Sequence, residues 1–197
     1  MIFDLDNNDL NEKYKLMAQT IVPRPIAWVV TEDDGVINVA PFSYFIGLSS
    51  SPATVLISVG HKSDGTPKDT LANIRKTKQC TICMVDESNL DKMHFSSKEL
   101  EKELSEADEF KIETDKVCTK YPPMIKGVPC AYFCDFNQEI DLGGGSTVPI
   151  VLNVKHIYIK NDVITDKENI TIKFNPVARI GKSYAFLGED IAPPKIP

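Results

Sequence analysis

The chain has 197 residues, 42% of them hydrophobic and 25% charged, with a formal net charge of −6. That length and composition favour a single folded domain over residues 1–197, with a core that needs no metal or disulfide staple. The negative balance excludes nucleic acid or an anionic membrane as the main partner, since both require a basic face. It leaves room for a small phosphorylated ligand, which needs only a local cluster of donors.

The N-terminal stretch MIFDLDNNDLNEKYK is acidic and polar and does not read as a secretory signal. No run approaches the roughly eighteen apolar residues of a membrane helix. The five cysteines are an odd count and cannot all pair within one chain, which points to a reduced, cytoplasmic setting. Asp9 with Glu12 predicts a capping box, followed by a helical stripe of Leu10, Tyr14, Met17 and Ala18. Pro23 and Pro25 end that helix, and IAWVVT (26–31) predicts a buried strand. EDDG is a turn, VINVAPFSYF the returning strand of a hairpin, and TVLISVG another strand. HKSDGTPKDT is a loop. LANIRKTKQ after it has helical spacing, with Leu71 and Ile74 inward and Asp69 or Thr70 as the cap.

CTICMVD continues as a strand. Ser96 and Glu99 predict a second capping box, opening a helix over KELEKELSEA with Leu100, Leu104 and Ala107 inward. VPCAYFCDFNQEI and TVPIVLNVKHIYIKNDVI are long strand patterns on either side of a hairpin tip, DLGGGS. NITIKF and VARIG complete the chain before a proline-rich tail. Strands outnumber helices and do not alternate with them, which disfavours a doubly wound parallel sheet. The expected class is mainly β: a closed or nearly closed antiparallel β-barrel with peripheral helices.

Several familiar sites are absent from the sequence: G-x-G-x-x-G after a strand, G-x-x-x-x-G-K-[ST], and H-E-x-x-H. Cys80 with Cys83, and Cys130 with Cys134, have spacings that zinc could use. Both pairs lie in strand patterns, where residues three apart face opposite sides, so they read as buried free thiols and no metal is expected. The loop KSDGTPKDTLANIRK places Lys62, Lys68, Thr66 and Thr70 around a helix start, where unpaired N–H groups and the helix dipole suit a phosphate. The same residues also fit a plain capped surface helix. In NVAPFSYFIGLSSSP (38–52), Ser49, Ser50 and Ser51 supply hydroxyls just past an apolar strand. With Trp28, Phe42, Tyr44 and Phe45 they would suit a ligand with a phosphate and a planar ring, or else a turn and ordinary core packing. No catalytic acid, base or nucleophile stands out. His156, alone on a strand, is either structural or steers a substrate.

The succession PRPIAWVVT…DG…NVAPFSYFIGLSSSP, then KDTLANI, EADEFK, YPPMIKGVPCAYFCDF and NPVARIGKSYAFLG, resembles the flavin reductase-like family of FMN-binding split barrels, and within it the flavoredoxin-like proteins. The motifs cover most of the chain in one order. The resemblance implies a homodimer of Greek-key split barrels binding FMN near the dimer interface. It implies FMN contacts at Thr31, at Asn38, Val39, Ala40, Pro41, Phe42 and Ser43, at Ser49 and Ser50, at Lys68, Asp69 and Thr70, and at Arg179, Gly181 and Tyr184. Lys68, Thr70 and the helix start would hold the phosphate, aided by Ser49 and Ser50, while backbone N–H groups of Ala40 to Ser43 met the ring's polar edge.

Two activities follow from the resemblance: an NAD(P)H-dependent flavin reductase, or a flavoredoxin-like FMN electron carrier with no nicotinamide activity of its own. A split barrel that binds another ligand or only a protein is the third possibility. Two departures from the family pattern, Gly181-Lys182 in place of a glycine pair and Asn153-Val154-Lys155 before His156, bear on the nicotinamide side more than on FMN.

Overall fold

The computed structural model describes residues 1–196. Helix α1 (Leu10–Thr20) opens with the expected capping box: Asp9 accepts from the Glu12 N–H, and the Glu12 carboxylate returns to the Asp9 N–H. After a two-residue strand β1 (Arg24–Pro25), β2 (Ala27–Asp33) and β3 (Val36–Phe42) form a hairpin. Asp34 and Gly35 at its tip have φ of 50° and 84°, the left-handed pair of a type I′ turn. β4 (Phe45–Ser50) and β5 (Ala53–Gly60) pair next, with Ser51 and Pro52 making the turn between them. Helix α2 (Asp69–Thr77), β6 (Gln79–Cys83), α3 (Leu90–Phe95) and α4 (Glu106–Glu109) follow. Then come β7 (Thr114–Asp115), β8 (Met124–Ile125), β9 (Cys130–Glu139) and β10 (Thr147–Ile159). β11 (Ile164–Asp166), β12 (Thr171–Ile172), β13 (Val177–Ile180) and β14 (Ser183–Phe186) end the chain's regular structure.

The main sheet runs β3-β2-β6-β9-β10-β5-β4, antiparallel throughout. The order β6-β9-β10-β5 within it is a Greek key. Its two edge strands, β3 and β4, are joined by only Ser43 and Tyr44. Laid flat, strands six places apart would stand about 29 Å from each other, whereas a two-residue link spans at most about 11 Å. The sheet must therefore be rolled. Among the described residues no ladder joins β3 to β4, so the roll is a split barrel rather than a closed one.

Rolling gives the sheet two buried faces. Ala27 and Val29 share the inner core with Val55, Ile57, Ile82 and Ile150, and α2 contributes Leu71 and Ile74 to it, as their spacing predicts. Trp28 and Val30 point the other way and join Ile26, Met93, Ala107 and Phe133 in an outer core. A strand covered on both sides reads as one apolar run, which is why IAWVVT shows no alternation. Cys80, Cys83, Cys130 and Cys134 are buried free thiols, and Cys118 is half-buried. Among the described residues no helix is long and apolar enough to cross a membrane.

Two expected helix starts differ from the structure. No helix covers 98–105, and α4 is a single turn. Ser96 is not a surface cap: its hydroxyl is buried, accepting the Trp28 indole N–H (2.9 Å) and donating to the Met93 carbonyl (2.9 Å). Helix α2 begins after Lys68, with neither Asp69 nor Thr70 as a side-chain cap. Ser96→Ala should therefore cost about 1–3 kcal/mol, because it strands a buried indole donor. Urea unfolding followed by the emission of the chain's single tryptophan measures this, and an unchanged midpoint would refute it.

Candidate functional site

The site is organised by β3, an edge strand whose outer rim is covered by side chains rather than by another strand. Ser105 donates to the Ile37 carbonyl (2.7 Å), and the Glu106 carboxylate accepts the Val39 N–H (2.9 Å). On its other side, Asn38 donates to the hydroxyls of Thr31 (3.2 Å) and Thr70 (2.9 Å), and Asn73 donates to Thr31 (3.0 Å). All four of these polar side chains are buried. Thr31 thus lies one layer behind the surface, and the Thr70 hydroxyl is already engaged.

Three cavities lie along this strand: one of about 210 Å³ at the hairpin end, with Asp33, Val36 and Asn38 in its lining, and two further along. The smaller of these two, about 40 Å³, is lined by Asn38, Ala40, Lys62, Lys68, Asp69, Thr70, Ser96, Ser97 and Glu106, among others. It has no field of one sign: Lys62 is paired with Asp69 at 3.0 Å, and Lys98 and Glu99 also line it. Lys68 makes no ion pair among the described residues. Burial pushes the Glu106 carboxyl above its ordinary range, an effect moderated by the Val39 N–H.

The larger of these two, about 200 Å³, is lined by Tyr14, Ile26, Pro41, Phe42, Ser43, Met93, His94, Ser97, Arg179 and Tyr184. Ser97 lines both cavities, and the consecutive residues Ala40 and Pro41 line one each, so the two adjoin along β3 and together make up the cleft. In its wall, His94 Nδ1 and Tyr184 Oη are hydrogen-bonded at 2.9 Å. The Arg179 guanidinium lies 4.7 Å from the centre of the Tyr184 ring, and its Nε donates to the Gly181 carbonyl (3.2 Å). Gly181 has a φ of +48°, in the left-handed region that favours glycine.

The cleft gathers Asn38, Ala40 to Ser43, Lys68 to Thr70, Arg179 and Tyr184 from three distant parts of the chain. It leaves other expected contacts outside. Ser49 and Ser50 are exposed and line neither cavity. They pair with Thr54 and Ala53, at the opposite end of β5 from Gly60, beside which Lys68 packs. Six residues of strand, about 20 Å, separate the two donor groups. His156 is exposed, its ring edge-on to Tyr121 at 5.9 Å, and lines neither cavity. Lys182 opens onto a separate cavity of about 320 Å³ with Tyr14, Lys15, Gln19 and Gly181.

The backbone of β3 also differs from expectation. The Val39 N–H faces away from β2 and is taken by Glu106. Alternation then turns the Val39 and Pro41 carbonyls to the same outer rim, and proline brings no N–H. This rim offers acceptors where donors were expected.

His94, Ser97, Tyr14, Arg24 and Glu106 escape sequence reasoning as site residues. Arg24 is buried, donating to the Ala18 and Ile21 carbonyls at the end of α1 and, at 3.4 Å, to the Ser43 hydroxyl. A lone arginine inside an apolar run was the available signal. The cysteines add no chemistry: burial raises Cys83 to about 12, far from a reactive thiolate. Among the described residues no cluster of three His, Cys, Asp or Glu side chains could hold a metal.

Comparison with known proteins agrees with this fold. The flavin reductase like domain matches residues 17–176. An uncharacterised protein of Halalkalibacterium halodurans is 33% identical, covering 93% of this chain and 91% of that protein. Among solved structures, 2-nitrobenzoate 2-nitroreductase of Pseudomonas fluorescens is similar with a TM-score of 0.88 at 26% identity, covering 100% of this chain and 96% of that one. Nitrilotriacetate monooxygenase component B of Bacillus cereus is similar with a TM-score of 0.90 at 25% identity, covering 98% of each.

The raised Glu106 pKa has a testable sign. A carboxyl whose folded value lies above its unfolded one binds more protons when folded, so its contribution to stability falls as pH rises through that window. Relative to the parent, Glu106→Gln should gain stability progressively as pH rises above the ordinary glutamate value of 4.5. Urea unfolding of both proteins from pH about 4 to 8 measures the difference, and a pH-independent difference would contradict it.

Proposed function

We propose, from the premise that this chain belongs to the flavin reductase-like family, that it is an FMN-binding oxidoreductase working as an NAD(P)H-dependent flavin reductase. The observation that carries the reading is the convergence of Asn38, Ala40 to Ser43, Lys68 to Thr70, Arg179 and Tyr184 on one cleft. The similar nitroreductase and monooxygenase component support electron transfer as the class of activity.

The donor set fits a flavin mononucleotide. Lys68, without an ion-pair partner, and the uncapped first turn of α2 would hold the phosphate. Asp69 is neutralised by Lys62 and does not oppose that charge. Thr70 and Thr31 act through Asn38, holding β3 rather than touching the phosphate. The acceptor rim at Val39 and Pro41 suits the imide N–H of the ring, and Phe42 gives an apolar wall. A bound flavin supplies hydride and electron transfer, while the protein binds and orients it.

A second copy of the chain is part of the proposal. The α1 stripe predicted from the sequence is largely exposed, with Leu10 67%, Tyr14 50% and Met17 41% accessible. Ile46 and Leu48 on the edge strand β4 are exposed as well. Apolar surface of this kind marks an interaction face, and Ser49 and Ser50 lie on its β4 side. Met17→Lys with Leu48→Lys should convert a dimer to monomer in sedimentation velocity. A parent protein that sediments as a monomer would overturn this part.

Two measurements test the flavin reading. Lys68→Ala should weaken FMN binding by about 1.5–3 kcal/mol, the scale of a lost charge-assisted hydrogen bond. Riboflavin, which lacks the phosphate, should bind parent and variant alike. Anaerobic NADH or NADPH should bleach the bound flavin. If neither does, the protein is an electron carrier instead.

A further inference from the structure

Arg24 and Arg179 stand directly opposite each other on the antiparallel β1–β13 ladder. Like charges in that position repel. Neither arginine has a carboxylate partner among the described residues. Arg24 is satisfied by helix-end carbonyls and Ser43. Arg179 has committed only its Nε, to the Gly181 carbonyl, and is steadied by the Tyr184 ring, its own cross-strand neighbour. The larger cavity of the cleft, which Arg179 lines, has no carboxylate among its lining residues, in a chain whose net charge is −6.

We infer that this end of the cleft binds a small aromatic carboxylate, with Arg179 as its counter-ion. The remaining guanidinium N–H groups form the planar fork that pairs bidentately with a carboxylate. Arg24 lies behind it and adds to the positive potential. The Ser43 hydroxyl, accepting from Arg24, keeps its own hydrogen to donate, and the His94–Tyr184 pair supplies further polar contacts. Ile26, Phe42 and Met93 supply the apolar wall for a ring. The size agrees: a cavity of about 150 Å³ accommodates a benzene ring, and this one measures about 200 Å³.

The inference rests on the flavin reading only for its purpose, which is to hold an electron acceptor beside FMN. Binding itself is tested without that assumption. Benzoate, with benzamide as its neutral isostere, is titrated by calorimetry into the FMN-free and the FMN-loaded protein. Benzoate should bind both forms, and benzamide at least about tenfold more weakly. Arg179→Gln should lower benzoate affinity of the FMN-free protein roughly ten- to hundredfold. Arg179→Lys, which keeps the charge but not the fork, should fall between. Circular dichroism confirms that both variants fold.

Equal binding of benzoate and benzamide would overturn the inference, as would an Arg179→Gln protein that binds benzoate like the parent. Expulsion of benzoate by FMN would also overturn it, since the wall would then belong to the flavin. A protein that binds benzoate through Arg179 but no FMN would instead refute the flavin reading and leave this inference standing.

Discussion

The hydrogen-bonded knot around Asn38 is what the rest of the site depends on. One side-chain amide ties β3 to Thr31 on β2 and to Thr70 on α2, and Asn73 closes the knot from the next turn of that helix. Every group in it is buried, so each lost bond would leave a polar atom without water or partner, at about 1–3 kcal/mol apiece. That cost fixes the start of α2 against the strand that forms the cleft floor. The threonines of two family motifs thereby serve the scaffold, their hydroxyls accepting from Asn38 and Asn73.

The rolled sheet supplies the second constraint. A two-residue link between opposite edges bends seven strands around α2, and the bend leaves β3 and β4 unpaired with each other. Unpaired edges are liabilities unless something covers them. On β3 the cover is Ser105 and Glu106, which take up the Ile37 carbonyl and the Val39 N–H and stop where the cleft begins. On β4, Ile46 and Leu48 are left exposed among the described residues. The cleft is thus the uncovered remainder of an edge, and its chemistry comes from what crosses that gap: α3 with His94 and Ser97, and the β13–β14 hairpin with Arg179 and Tyr184.

Charge is distributed to match. At the α2 end, lysines and carboxylates are interspersed and partly paired, with a buried Glu106 beneath them. At the hairpin end, two arginines face each other with no acid between. A ligand lying along β3 would meet Lys68 and Lys98, unpaired among the described residues, at one end and the arginine pair at the other.

The sequence by itself determined the strands, the β2–β3 hairpin, the first capping box, the inward face of α2 and the burial of Cys80, Cys83, Cys130 and Cys134. Each follows from contacts within a few residues or from a simple periodicity. Its motif order also carried the family and most residues of the cleft. The predicted helix over 98–107 is absent because the Ser96 hydroxyl is drawn inward to Trp28, a partner 68 residues away that no local pattern announces. The tertiary structure alone decided that His94 meets Tyr184 across 90 residues. It alone set Ser49 and Ser50 a strand's length from Lys68, and Arg24 opposite Arg179. The physical reason is the same in each case. Register and sheet closure are set by the packing of the whole barrel, and they bring together side chains whose own neighbourhoods in the sequence hold no sign of the partner.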